Sequence, residues 1–132
     1  MIVEHRNANP RIKAKALALT RIHGALEALN LNKKDKTCDL LGCTTQEYAD
    51  HLGPEVMRLS EAKKQIDHIW PLSIYDLTVE AEKFKAFNWR NTRLISASEN
   101  REKHAKPPSK QLALTVPMEL WPDGWGVSDL HD

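Results

Sequence analysis

The stretch Gln65-Ile66-Asp67-His68-Ile69-Trp70 alternates polar and apolar side chains and then meets Pro71, which has no amide hydrogen for a sheet ladder. It reads as a short strand with an Asp-His pair at its end. Thr78 to Phe87 reads as a helix with Val79, Phe84 and Phe87 available for packing. An Asn88-Trp89-Arg90-Asn91 turn then leads into a second β-prone stretch, Arg93-Leu94-Ile95. Ser96 with Glu99 forms a capping box, so a helix is expected from about Ala97 to Ala105, ending before Pro107-Pro108. A strand, helix, strand, helix frame of this size confines the chain to a small mixed α and β fold.

Upstream, Asn9-Pro10 supplies an N-cap and a first helical position. Ile12, Ala16, Leu19, Ile22, Leu26 and Leu29 then recur at spacings of three and four, which predicts one apolar helix face. Gly24 weakens that helix by about 1 kcal/mol relative to alanine without breaking the pattern. Thr44 with Glu47 forms another capping box and opens a helix that stops at Gly53-Pro54. Residues 55–64 are helical or irregular on their pattern. Four stretches of one domain follow: a basic N-terminal helix to residue 36, a helical linker unit over 37–64, a core over 65–106 and an acidic C-terminal tail over 107–132.

The 132 residues suit a single modest core. Composition points away from a membrane span, a secreted disulfide scaffold or a disordered chain, and the expected setting is the cytoplasm. Cys38 and Cys43 cannot supply the four ligands of a structural zinc and are read as buried thiols beside a Leu-Leu-Gly turn. The formal net charge of +1 hides an uneven distribution. Residues 1–36 carry +5, residues 37–82 carry −6, residues 83–110 carry +6 and residues 111–132 carry −4. The last block is a candidate mask for the basic one before it.

The chemistry-bearing residues lie in the strand, strand and helix frame. Asp67 offers an anionic oxygen and Asn100 a neutral one, a pair suited to Mg²⁺ or a similar hard divalent ion. His68, when neutral, can accept a proton from water near pH 7. Asn91 is placed to hold the strand that orients the imidazole. His104 follows Asn100 by four residues, shares its helix face and is a candidate third ligand. Arg90, Arg93, Arg101, Lys103 and Lys106 surround this set, as a phosphodiester backbone requires.

Taken together, Ile66-Asp67-His68-Ile69-Trp70-Pro71-Leu72-Ser73, Phe87-Asn88-Trp89-Arg90-Asn91-Thr92-Arg93-Leu94 and Glu99-Asn100-Arg101-Glu102-Lys103 resemble the HNH endonuclease signature, closest to its phage- and virus-encoded branch. The resemblance takes in Leu40-Leu41-Gly42-Cys43 and spans roughly residues 11–106. It implies an α+β fold with a ββα-metal core and an N-terminal helical extension. It also implies Asp67 and Asn100 as ligands of one divalent metal, Mg²⁺ foremost with Mn²⁺ an alternative, His68 as general base and Asn91 as its positioning residue. Double-stranded DNA is the implied substrate, and a genome-packaging terminase the implied partner. Two departures stand out: the loop between the strands holds a whole helix, and the usual Asn-Leu-x-Pro-Leu run reads Asn91-Thr92-Arg93-Leu94-Ile95. The alternatives are a non-catalytic DNA-binding accessory protein and an RNA-directed nuclease.

Overall fold

The computed structural model describes residues 10–28, 35–54, 64–96, 98–100 and 106–132. In chain order its elements are α1 (Pro10–Ala28), α2 (Thr37–Leu41), α3 (Thr45–Leu52), β1 (Lys64–His68), α4 (Glu80–Phe87), β2 (Thr92–Ser96) and α5 (Lys110–Ala113), with short 3₁₀ turns between them. β1 and β2 form a two-stranded antiparallel sheet in which Asp67 faces Arg93 and His68 faces Thr92. The architecture is therefore mixed helix and small sheet. The first strand ends at His68, two residues earlier than expected: the Ile69 amide still bonds the Asn91 carbonyl in register, but the Asn91 amide turns back to the Asn88 carbonyl and the Trp70 amide goes to the Asn91 side chain.

Capping decides two helix starts as the sequence implies. Thr44 Oγ1 accepts from the Glu47 amide at 3.1 Å while Glu47 Oε1 accepts from the Thr44 amide at 2.8 Å. Ser96 and Glu99 make the same reciprocal pair, at 3.1 and 3.3 Å, and residues 98–100 are helical. The rest of that helix, with Arg101, Lys103 and His104, lies outside the described residues, as do Asn9, Leu29 and residues 55–63. α4 begins at Glu80 rather than Thr78, because Asp76 draws Thr78 into a local turn through the Thr78 amide.

The buried face of α1 keeps Ile22 and Leu26 of the expected stripe and corrects its first half. Ala14, Ala18, Ile22 and Leu26 are buried, whereas Ile12 and Ala16 are exposed and Leu19 is half-buried. The two alanines pack with Leu41, Tyr48, Ala49, Leu52 and Ile66. Small side chains let α1 approach its neighbours closely, so the alanine row wins the interior over the bulkier Ile12. A second cluster holds Ile22, Leu26, Phe87, Val116, Leu120 and Leu130 around Trp70, whose ring lies 5.1 Å from Trp121 and 5.3 Å from Trp125. The C-terminal segment thus completes the core, and cutting the chain after Lys110 would remove that side of it.

Ala18→Leu forces added volume into this tight contact and is expected to cost about 1–3 kcal/mol. Ile12→Ser is expected to stay within about 1 kcal/mol. Chemical denaturation of both variants checks the assignment of the buried face.

Candidate functional site

Asn91 is fully buried at the centre of the site. Its Oδ1 accepts from the Trp70 amide at 2.8 Å, and its Nδ2 donates to the carbonyls of Trp70 at 3.1 Å and Ala86 at 3.0 Å. Its own carbonyl accepts from the Ile69 amide at 2.8 Å. One carboxamide therefore satisfies main-chain groups from the exit of β1 and the end of α4, while its backbone sits at the entry of β2. Asn91 thereby fixes the bend directly after His68.

Strand alternation sorts the other residues. Gln65 and Asp67 share one face of β1, and Ile66 and His68 share the other. Asn100 Nδ2 donates to Gln65 Oε1 at 2.8 Å, which puts Asn100 on the face of Asp67, beside a residue roughly 7 Å along the strand from it. Asp67 is buried, and Arg93 Nε donates to its Oδ2 at 3.0 Å across the sheet. His68 turns to the opposite face. It is 4% exposed, with its ring 5.8 Å from that of Phe87 at nearly a right angle. A cavity of about 10 Å³ beside it, walled by Ala18, Tyr48, Phe87 and Thr92, has room for roughly one water. The sheet thus brings Asp67 and Asn100 to one side and keeps the imidazole on the other.

Thr92, opposite His68, is the focus of a support network that the motif does not announce. Its hydroxyl donates to the Trp89 carbonyl at 2.8 Å and accepts from the Tyr48 hydroxyl at 3.0 Å. His51 Nε2 donates to the Thr92 carbonyl at 2.6 Å, and its ring lies 4.9 Å from Trp89. Burial pushes the Tyr48 hydroxyl well above its ordinary pKa, so it stays protonated as a donor. No spacing links His51 to Thr92, 41 residues away, so only the fold reveals the contact.

The basic block is less open than its charge implies. Lys83 pairs with Asp35 at 2.7 Å, and Lys85 with Asp123 at 2.8 Å and Glu82 at 3.0 Å. Arg90 stacks near Trp89 and lies 3.8 Å from Glu119. Lys106 is exposed. Glu119 and Asp123 of the acidic segment do face basic residues, but they do so as part of a docked, core-forming segment. Among the described residues, no three His, Cys, Asp or Glu side chains gather to hold a metal. The expected donors include a carboxamide and His104, which lies outside those residues. Cys38 and Cys43 are half-buried rather than buried, and free. Burial, with Glu47 and Cys38 adding to it, pushes the Cys43 thiol up to about 11.

Two measurements follow from these environments. Asn91→Ala orphans buried main-chain groups and is expected to cost about 2–5 kcal/mol, whereas Asn100→Ala stays within about 1 kcal/mol, both read by denaturant unfolding. Because the raised pKa of Cys43 keeps its thiol protonated at pH 8, alkylation there is expected about 100-fold slower than for an ordinary thiol, rising as pH approaches 11, by mass spectrometry of the labelled peptide.

No helix among the described residues is long and apolar enough to cross a membrane. No family model, no curated protein and no solved structure matches the chain.

Proposed function

We propose that this chain is a metal-dependent DNA endonuclease of the HNH type, with β1, β2 and the helix after Ser96 as a ββα-metal core. The observation that carries the reading is the joint placement of the motif on one hairpin. Asn91 locks the bend after Asp67-His68, and Gln65 holds Asn100 on the face of Asp67. A carboxylate and a carboxamide oxygen fit a hard divalent ion, Mg²⁺ foremost, and because Asn100 Nδ2 donates a hydrogen bond to Gln65 Oε1, its Oδ1 is the atom left to ligate such an ion. Such an ion, when bound, supplies Lewis-acid stabilisation of the charge on the phosphate and the departing 3′ oxygen.

The protein's own groups account for the rest. His68, on the face of β1 opposite Asp67, is the group this reading assigns to take a proton from water. Arg93, with its fork of donors, serves the carboxylate of Asp67 and can bond a phosphate as well. One such site cuts one strand, so a monomer nicks. Action beside a genome-packaging terminase comes with the same resemblance.

Two observations favour a second reading, a DNA-binding accessory protein that keeps the fold without turnover. His68 is 4% exposed, and Asp67 is held by Arg93. Plasmid nicking with Mg²⁺ or Mn²⁺, with and without chelator, separates them. The endonuclease reading expects cutting that chelator abolishes and that His68→Gln and Asp67→Asn each reduce by about 10²–10⁴-fold while the variants still melt cooperatively. Tight binding without cutting in any metal supports the accessory role, and cutting of structured RNA alone would redirect the substrate to RNA.

A further inference from the structure

Gly24 stands inside α1, four residues before its last, where glycine costs about 1 kcal/mol relative to alanine. Packing does not require it: nothing lies within 4 Å of the position a Cβ would take, and its φ is outside the left-handed region. Gly24 instead walls a cleft of about 310 Å³ between α1 and the start of β1. Leu17, Thr20, Arg21 and Gly24 line it from one face of the helix, with Gln65 and Ile66 opposite.

The cleft meets the candidate site at two points. Arg21 and Ile66 also wall the small cavity at His68, and Gln65 is the residue that holds Asn100. Its lining combines apolar surface with a guanidinium, a hydroxyl and a carboxamide, in a volume at the lower end of the range for small-ligand sites. α1 carries Arg11, Lys13, Lys15 and Arg21 against Glu27 alone, a charge suited to a polyanion.

We propose that this cleft seats one nucleotide of a bound nucleic acid strand, with the base against Leu17, Ile66 and the bare backbone at Gly24, and with Arg21 on the adjoining phosphate. The proposal rests on the nuclease reading for the class of ligand, and deepens it by naming where the strand lies. Gly24 is then the residue that keeps the cleft open.

The test uses the full chain, short fluorescein-labelled duplex and single-stranded DNA in chelator, and anisotropy. Gly24→Leu fills the cleft and is expected to weaken binding of at least one probe by about tenfold, while Gly24→Ala, which adds one methyl to the same wall, melts higher and weakens it by about two- to threefold. Arg21→Gln is expected to weaken the same probe about tenfold and to lower the salt slope by about one. Gly24→Leu and Arg21→Gln proteins that fold and bind within about twofold of wild type would overturn the proposal, as would a wild-type protein that binds neither probe. Nicking assays on the same proteins keep the two ideas apart. Gly24-sensitive binding with no cutting in any divalent metal leaves the cleft standing and ends the nuclease reading. Metal-dependent cutting with KM unchanged in Gly24→Leu ends the cleft alone.

Discussion

The side chain of Asn91 is the constraint on which the rest of the site depends. A strand that ends at a Pro-containing bend leaves main-chain donors and acceptors that the ladder cannot serve, and burying them unpaired is costly. Asn91 meets the amide and carbonyl of Trp70 and the carbonyl of Ala86 with a single carboxamide. Because its own backbone opens β2, the same residue ties the exit of one strand to the entry of the other. The register that sets Asp67 against Arg93 and His68 against Thr92 follows directly.

That register divides the chemistry by the alternation of the strand. Asp67, Gln65 and Asn100 gather on one face, while His68 and Ile66 turn toward α1 and Phe87. The carboxylate has a cation beside it already, in Arg93, and the imidazole sits within the protein. Helix α1 is consequently more than an extension. Its alanine row docks on α3 and its next face forms the cleft beside the sheet.

Electrostatics and packing work together at the other end of the molecule. Lys85 bonds Glu82 of its own helix and Asp123 of the C-terminal segment, and Glu82 Oε1 accepts from the Asp123 amide at 3.4 Å. Both partners raise the Lys85 pKa, with the hydrogen bond that Lys85 donates to Asp123 foremost, so this pairing persists across the neutral range. Trp121 is fastened by its indole to the Val116 carbonyl at 2.9 Å and presses against Trp70. The segment that reads as an acidic tail is in this way bound to the core by the aromatic residues that flank its charges.

Local chemistry written in adjacent residues was legible from the chain. The two capping boxes, the turn before Asn91, the strand at Asp67-His68 and the position of Asn91 between the strands all depend on contacts a few residues apart or on a spacing that one motif carries. Periodicity gave α1 its existence and the buried Ile22 and Leu26, but over the first half of the helix it put Ile12 and Ala16 where Ala14 and Ala18 are buried, because that choice rests on how closely α2 and α3 approach. The pairing of Arg93 with Asp67, the support of Thr92 by Tyr48 and His51, and the opening beside Gly24 likewise belong to tertiary structure alone. Each joins residues far apart in the chain, and side-chain neighbours across such distances are set by packing, on which local sequence carries no signal.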